Sequence, residues 1–336
     1  MEIKMKDPLI VLAGPTASGK TALSIALAKK IGGEIISADS MQVYRHMDIG
    51  SAKVTEEEMC GIPHHLIDIL DPTEEFNILL FQKYALQAAE EIKGRRHIPI
   101  LVGGTGFYIQ SVTRMIDFTE ADGHTEVRKR LEERAAREGN LCLHEELKKV
   151  DPESAGAIHP NNVKRVIRAL EFYEQNGYPI SRHNEKEREK ESPFNLLYFV
   201  LDMPRSELYR RIDARVDLML ENGLVKEVEK LKESGCRRGM TSMQGLGYKE
   251  ILDYLCGDTD YEEAVRILKR DTRHFAKRQL TWFRREKDVT WVHLDEFGYD
   301  KEKTLEFILK TLHQYFGVTV YGSSLLVWQA GQLIYR

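Results

Sequence analysis

The feature that most constrains this chain is a glycine-bracketed loop near its start, between an apolar run and an alanine-rich segment. Residues 8–13 read Pro-Leu-Ile-Val-Leu-Ala, the length of one buried strand, and residues 22–31 have the composition of a helix. Between them, Gly14–Thr21 fits the pattern G-x-x-x-x-G-K-[ST], in which backbone N–H groups face an anion at the positive end of a helix. The sequence therefore predicts a strand, a phosphate-binding loop and a helix in succession.

The loop predicts a di- or triphosphate ligand and does not identify which one. Lys20 would supply a positive charge, and the Thr21 hydroxyl would bind Mg²⁺. Taken alone, the pattern suggests ATP, and a tight strand-to-helix turn with no ligand is the alternative interpretation. The residues expected to contact the phosphates are Gly14, Pro15, Thr16, Ala17, Ser18, Gly19, Lys20 and Thr21.

Strand-like and helix-like segments alternate along the chain, which predicts an α/β fold with a doubly wound parallel sheet. Further strands are expected at residues 34–38, 98–102 and 196–201. Ligands of such sheets bind beyond the carboxyl ends of the strands. Two polar strand ends, Asp39-Ser40 and Gly103-Gly104-Thr105, should therefore join the phosphate-binding loop in one site.

The middle of the chain has a different character. Residues 120–191 are charged, helical in pattern and free of strand signals, so they are interpreted as an insertion. This predicts a core made of residues 1–116 and 192–316, and an all-helical insertion domain at 117–191. The last segment, 317–336, alternates loosely and predicts a terminal hairpin of unknown role.

Composition limits the class of protein. No apolar run approaches the roughly eighteen residues of a membrane span, and the first seven residues lack the pattern of a secretion signal. Four scattered cysteines are typical of reduced thiols. We therefore expect a cytoplasmic protein with no membrane partner, and we expect a monomer.

Asp39 is the only carboxylate expected at a strand end near the loop, one strand along from it. It could serve as a metal-linked carboxylate, a general base or an N-cap. The strand at 98–102 ends in Gly-Gly-Thr, where a nucleotide hydrolase would need a carboxylate. Further along, Arg211 and Arg215 could either reach a pyrophosphate or pair with neighbouring acids.

Basic residues concentrate near the end of the core. Residues 264–287 contain nine Lys or Arg against Asp271 and Glu286, a nearly uncompensated charge in a chain whose net charge is −4. The segment could be a solvated helix face or a surface for a polyanion, with Trp282, Phe283 and His274 available to stack on bases. One helical stripe holds Arg266, Arg270, Arg273 and Lys277, and a smaller basic patch holds Lys164, Arg165 and Arg168.

With these residues in view, the chain resembles the tRNA dimethylallyltransferases (isopentenyl-tRNA transferases). The resemblance extends in order from residue 9 to about residue 290. Minor departures are His46, where the family usually has Gly, and Ser51, where it usually has Thr. The matching motifs are Gly14–Thr21, Ser37–Tyr44, Met47–Gly50, Pro63–Asp68, Val102–Tyr108, His159–Asn162, Gln244–Lys249 and Thr272–Trp282.

The resemblance implies a P-loop NTPase-like core whose loop holds dimethylallyl diphosphate with Mg²⁺. The acceptor would be N6 of the adenosine 3′ of the anticodon in tRNA. Asp39 would be the general base and Thr105 would lie near the reacting centre. Arg215 and Lys20 would neutralise charge on the departing pyrophosphate.

The resemblance further implies a set of tRNA contacts, with the helical insertion holding the anticodon stem. Two other classes remain open: a small-molecule or nucleotide kinase that uses ATP, and a non-catalytic RNA-binding protein with a phosphate loop. The residues expected to contact tRNA are Asp39, Ser40, Met41, Gln42, Thr105, Arg128, Lys164, Arg165, Val166, Ile167, Arg168, Gln244, Gly245, Leu246, Gly247, Tyr248, Lys249, Arg273 and Lys277.

Overall fold

The computed structural model describes residues 6–118 and 126–316, together with the backbone of 326–329 and 332–335. The chain divides into two compact units. The first contains the residues up to Thr113 and those from Pro193 onward, and the second is Arg114–Ser192. None of the described helices is long and apolar enough to cross a membrane.

The first unit is built on a six-stranded sheet in which every neighbouring pair is parallel, so the expected α/β fold is confirmed. The strand order is β3-β2-β4-β1-β5-β6. The strands are β1 (Pro8–Ala13), β2 (Gly33–Ala38), β3 (His64–His65), β4 (Ile98–Gly103), β5 (Asn195–Asp202) and β6 (Val289–His293).

Both faces of this sheet are buried, as parallel sheets require. Along β1, Leu9 and Val11 belong to one apolar cluster, whereas Ile10 and Leu12 belong to another. Successive side chains of a strand point to opposite faces, so the two clusters are the cores above and below the sheet. The first four helices are α1 (Lys20–Ile31), α2 (Glu56–Met59), α3 (Ile78–Gly94) and α4 (Gly106–Thr113).

The described residues of the second unit form helices and no strand, and the unit has its own core, which includes Leu131, Leu143 and Leu170. Its helices are α5 (Glu126–Glu138), α6 (Asn140–Val150), α7 (Pro152–Ala157), α8 (Val163–Asn176) and α9 (Ile180–Glu189). The buried Asp151 carboxylate accepts hydrogen bonds from the backbone N–H groups of Ser154 and Ser181, both at 3.0 Å. It therefore fixes the starts of α7 and α9.

The chain then returns to the first unit. Its helices there are α10 (Arg205–Glu221), α11 (Leu224–Glu233), α12 (Tyr248–Leu255), α13 (Tyr261–Phe283) and α14 (Lys301–Phe316). The expected terminal hairpin is confirmed in its strands: Leu326–Gln329 and Gln332–Tyr335 pair antiparallel as β7 and β8.

The sheet order corrects two expectations about Asp39. First, β4 lies between β1 and β2, so Asp39 follows the second strand from the phosphate-binding loop and not the adjacent one. Second, Asp39 is not the only strand-end carboxylate near the loop, because Asp202 ends β5, which pairs directly with β1. The sequence alone did not show that β5 returns beside β1.

Candidate active site

A cavity of about 760 Å³ lies at the carboxyl ends of β1, β2 and β4. As expected, it brings together the phosphate-binding loop, the end of β2 and the end of β4. Helices α10, α12 and α13 complete its wall. Sequence-predicted residues that line it are Thr16, Lys20, Thr21, Asp39, Ser40, Met41, Gln42, Gly103, Gly104, Thr105, Arg215, Gln244, Gly245, Leu246 and Lys249.

The phosphate-binding loop has the backbone that its glycines permit. A Cβ atom at Gly14 would lie 2.9 Å from the carbonyl oxygen of Leu201, so no larger residue fits there. Gly19 adopts a φ of 85° and immediately precedes α1. Because the first N–H groups of a helix have no intrahelical partner, the start of α1 offers hydrogen-bond donors and a positive dipole end to an anion.

Lys20 is held beneath the loop, where its Nζ donates a hydrogen bond to the carbonyl oxygen of Pro15 at 2.6 Å. Burial and the nearby positive charge of Arg215 lower the pKa of Lys20 to about 7, although Asp39 acts in the opposite direction. Burial also lowers the pKa of Arg215, opposed again by Asp39. The cavity wall therefore holds the guanidinium of Arg215 and the partly protonated amine of Lys20 near one carboxylate, an arrangement that favours an anionic ligand.

Two arginines of α10, Arg211 and Arg215, have different environments. Arg211 Nε donates to Glu207 at 2.6 Å, and its guanidinium lies 4.9 Å from the centre of the Tyr299 ring. Arg215 lines the cavity. Pairing with a neighbouring acid, one of the two alternatives, is therefore confirmed for Arg211, whereas Arg215 lies where a pyrophosphate in the cavity could reach it.

Asp39 combines a local hydrogen bond with a position at the cavity wall. Its Oδ1 accepts from the backbone N–H of Met41 at 2.8 Å and, more weakly, from that of Gln42 at 3.4 Å. No helix follows within residues 41–55, so Asp39 caps a turn and not a helix. Within residues 6–118 and 126–316, no group donates a hydrogen bond to Oδ2, and that oxygen remains available to a ligand.

Gln279 on α13 is a site residue that sequence reasoning missed. Its side chain is 6% exposed and lines the cavity between the phosphate-binding loop and the Gly103–Thr105 loop. Its Oε1 accepts from the backbone N–H of Thr16, and its Nε2 donates to the carbonyl oxygen of Gly104. The sequence feature that could have indicated it is a glutamine next to the apolar Leu280, within the motif Thr272–Trp282.

Glu227 on α11 is a second residue that the sequence did not reveal. Its carboxylate accepts from three consecutive backbone N–H groups, those of residues 48–50, at 2.8–3.0 Å. It also accepts from the Tyr248 hydroxyl at 2.8 Å. Because Gly50, Ser51 and Ala52 line the cavity, Glu227 fixes part of the cavity wall.

The tRNA contacts expected from the resemblance divide into accessible and inaccessible side chains. Lys164, Arg165 and Arg168 are exposed on α8. Val166 and Ile167, in contrast, are 1% and 3% exposed and belong to the core of the second unit. Their side chains pack inward, so only the backbone of these two residues is left for a contact with RNA.

Two further expected contacts are engaged within the protein. Arg128 Nη2 donates to the buried carboxylate of Glu171 at 2.6 Å. Tyr248 is fully buried, and its hydroxyl accepts from the backbone N–H of Ser51 at 3.1 Å. A Cβ atom at Gly50 would lie 2.6 Å from the Tyr248 ring, so this tyrosine supports the cavity wall and does not face RNA.

Part of the charge of the basic segment 264–287 is compensated by acids elsewhere in the fold, which corrects the expectation from the sequence. Its acidic partners lie outside the window 264–287 or next to the arginine in question. The pairs are Arg266–Glu263, Lys269–Asp217, Arg270–Asp271 and Arg273–Asp213, at 2.5–2.7 Å. Lys277 is exposed on the same helix.

The aromatic residues considered for base stacking are also constrained. Phe283 is fully buried, so stacking on RNA is excluded for it in this structure. Trp282 packs edge-on against Phe107 at 5.9 Å between ring centres, and a Cβ atom at Gly106 would lie 2.1 Å from its ring. Trp282 therefore supports the start of α4.

Comparison with known proteins gives consistent matches. The family model described as IPP transferase matches residues 42–286, and the model described as isopentenyl transferase matches residues 8–71. A tRNA dimethylallyltransferase of Lachnoclostridium phytofermentans is 58% identical over 302 residues, which cover 90% of this chain and 96% of that protein. One from Acetivibrio thermocellus is 52% identical, covering 91% and 98%.

Solved structures match as well. The full-length tRNA isopentenylpyrophosphate transferase of Bacillus halodurans superposes with a TM-score of 0.69 at 46% identity, covering 92% of this chain and 98% of that chain. A eukaryotic dimethylallyltransferase captured acting on tRNA gives a TM-score of 0.77 at 31% identity, covering 94% and 81%.

Proposed function

Because the chain belongs to the IPP transferase family, we propose that it transfers a dimethylallyl group from dimethylallyl diphosphate to tRNA. The acceptor atom is N6 of the adenosine 3′ of the anticodon, and pyrophosphate is released. The observation that carries this proposal is the single cavity in which an anion-binding loop, Asp39 and Thr105 meet.

The acceptor amine needs a base. Its lone pair is delocalised into the purine ring, which makes N6 a poor nucleophile. As N6 forms a bond to the allylic carbon C1, the bond between C1 and the diphosphate oxygen breaks, and N6 must lose a proton. Asp39 Oδ2 accepts that proton, while Oδ1 remains bonded to the Met41 N–H and holds the carboxylate in place.

The leaving group needs positive charge. Lys20 and Arg215 lie on the cavity wall beside the phosphate-binding loop and would neutralise the departing pyrophosphate. Thr21 lines the cavity, and its hydroxyl would bind Mg²⁺ together with phosphate oxygens and water. Among the described residues, no group of three or more His, Cys, Asp or Glu side chains is arranged to hold a metal ion. A bound Mg²⁺ would add charge stabilisation to the diphosphate.

The tRNA must present an extruded base, because N6 inside the stacked anticodon loop cannot reach a cavity at the end of a sheet. Ser40, Met41, Gln42, Thr105, Gln244, Gly245, Leu246 and Lys249 line that cavity and are proposed to contact the target nucleotide. The exposed Lys164, Arg165 and Arg168 of the second unit are proposed to contact the backbone of the anticodon stem. We propose that the enzyme acts in the cytoplasm as a monomer.

One experiment separates this function from the kinase and RNA-binding alternatives. The protein is incubated with dimethylallyl diphosphate labelled in its five-carbon chain, unmodified tRNA and Mg²⁺, without ATP. Label in tRNA supports the transferase. In a parallel incubation that contains ATP, transfer of its terminal phosphate, with no label in tRNA in either incubation, would establish the kinase. Binding of tRNA without either reaction would establish the binding protein.

A further inference from the structure

One buried amide connects the two loops that the proposed reaction must hold in register. The backbone N–H of Thr16 donates to Gln279 Oε1 at 2.9 Å, and Gln279 Nε2 donates to the carbonyl oxygen of Gly104 at 3.0 Å. Thr16 belongs to the phosphate-binding loop after β1. Gly104 belongs to the loop after β4 and immediately precedes Thr105.

The amide can bridge these loops in only one orientation. The Thr16 N–H needs an acceptor and the Gly104 carbonyl needs a donor, so exchange of the amide oxygen and nitrogen would lose both hydrogen bonds. Gln279 is 6% exposed, so water does not substitute readily for either partner. The hydrogen bonds therefore fix the side chain as well as the loops.

The backbone around the bridge leaves little freedom. A Cβ atom at Gly104 would lie 2.1 Å from Gln279 Nε2 and 3.2 Å from the carbonyl oxygen of Gly14. In the sheet, Ala13 is the register partner of Gly103. Gln279 thus extends the contact between β1 and β4 beyond the last paired residues, at the level of the cavity.

Helix α13 itself is anchored on both sides of Gln279. Trp282, one turn later, packs against the start of α4, which follows Thr105. Arg273, in the preceding turns, pairs with Asp213 of α10, the helix that carries Arg215. Displacement of the amide is therefore resisted by the packing of the whole helix.

We propose that Gln279 is a positioning residue that sets the distance between the diphosphate and the acceptor nucleotide. The proposal rests on the proposed function for its catalytic consequence. The Thr16 loop holds the group that leaves, and the Gly104–Thr105 loop faces the atom that attacks. Misplacement by about 1 Å is enough to lower a transfer rate about a hundredfold.

The test compares the wild-type protein with Gln279→Met, which keeps the length of the side chain and removes both hydrogen bonds. We expect kcat to fall about a hundredfold, with the KM for dimethylallyl diphosphate and the Kd for tRNA within about threefold of wild type. The matched control is Gln110→Met, which removes a glutamine hydrogen bond between α4 and Glu286, away from the cavity, and should leave kcat within about threefold. A kcat of Gln279→Met within that same range would overturn the proposal.

A second variant gives a pH readout that a packing role would not produce. In Gln279→Glu, a protonated carboxyl can accept from the Thr16 N–H and donate to the Gly104 carbonyl, whereas the ionised form cannot donate. Burial raises the pKa of such a carboxyl. The ratio of variant to wild-type kcat should therefore rise as pH falls from about 8.5 to about 5.5, and a ratio independent of pH would contradict the proposal.

Hydrogen exchange separates failure of this inference from failure of the proposed function. If the wild-type protein transfers no prenyl group, the proposed function is wrong, and the bridge is then judged from the Thr16 amide. Exchange of that amide should be at least about tenfold faster in Gln279→Met than in Gln110→Met. Equal exchange would overturn the positioning role, and this measurement also decides the matter if Gln279→Met has too little activity to assay.

Discussion

Lys20 should take up a proton when the cavity binds a diphosphate. In the free protein, burial and Arg215 lower the pKa of Lys20 to about 7. A diphosphate placed on the loop adds negative charge beside the ammonium group and raises its pKa, because an opposite charge favours the charged form. Proton uptake therefore accompanies binding at any pH between the pKa of Lys20 in the free protein and its pKa in the complex.

The magnitude follows from the lowered pKa of Lys20. At pH 8, a group with a pKa of about 7 is neutral in about nine of ten free molecules, so complete protonation in the complex takes up about 0.9 proton. At pH 6, the corresponding uptake is about 0.1 proton. The contribution of Lys20 to the affinity for a diphosphate should be nearly constant below pH 7. Above pH 7 this contribution should fall about tenfold per pH unit, until the pKa of Lys20 in the complex is reached.

The assay is titration calorimetry with magnesium pyrophosphate in buffers of different ionisation enthalpy. Its matched control is Lys20→Arg, which keeps the positive charge but remains protonated over the whole range. Protons exchanged by pyrophosphate itself are common to both proteins and cancel in the difference. We expect the wild-type protein to take up about 0.9 proton more than Lys20→Arg at pH 8.

Equal proton uptake by the two proteins at pH 8 would refute this reasoning. It would mean either that Lys20 is already charged in the free protein or that the diphosphate does not approach it. A difference in proton uptake that is as large at pH 6 as at pH 8 would also contradict the lowered pKa of Lys20. At pH 6 the amine of the free protein should already be almost fully protonated.

Two other predictions concern single charged side chains, one engaged in hydrogen bonds and one exposed. Glu227→Gln should lower the free energy of unfolding, measured in urea, by about 1–3 kcal/mol. Each carboxylate oxygen of Glu227 accepts two hydrogen bonds, so the NH₂ of a glutamine would face two donors in either orientation of the amide. The control Glu229→Gln, exposed on the same helix, should change the free energy of unfolding by less than about 0.5 kcal/mol. Lys277→Ala should weaken tRNA binding and reduce the slope of log K against log salt concentration by about one. The control Lys30→Ala, exposed near the end of α1, should leave that slope unchanged. Equal slopes for Lys277→Ala and the wild-type protein would mean that Lys277 is a solvated residue that does not contact tRNA.

The central strands could be predicted because their signals are local. Residues 8–13, 98–102 and 196–201 are apolar runs of strand length, and 34–38 contain an Ile-Ile pair. Each segment lies within an observed strand. The last parallel strand, β6, was not predicted, since Val289–His293 is only five residues long and directly follows a charged segment. The bounds of helix α9 were not predicted either, because its sequence is almost entirely charged or polar and its start depends on Asp151.

The site was predicted where one short stretch contains the whole pattern, as in the phosphate-binding loop. It was not predictable where partners are far apart in sequence. Thr16 and Gln279 are separated by 263 positions, and Asp48 and Glu227 by 179. The charge of α13 was misjudged for the same reason, because Asp213 lies 60 positions from Arg273. The composition of residues 264–287 gives the charge of that segment, but the acids that neutralise it can be identified only from the fold.

The most direct test of the central claim is single-turnover transfer by Asp39→Asn, with enzyme in excess over unmodified tRNA and dimethylallyl diphosphate already bound. Asparagine keeps an oxygen that can accept from the Met41 N–H and removes the basic oxygen together with the negative charge. We expect the transfer rate to fall at least about a hundredfold, because the base has been lost. The affinity for pyrophosphate should not fall, because a negative charge near Lys20 and Arg215 has been removed. A transfer rate equal to that of the wild-type protein would contradict the assignment of Asp39 as the base.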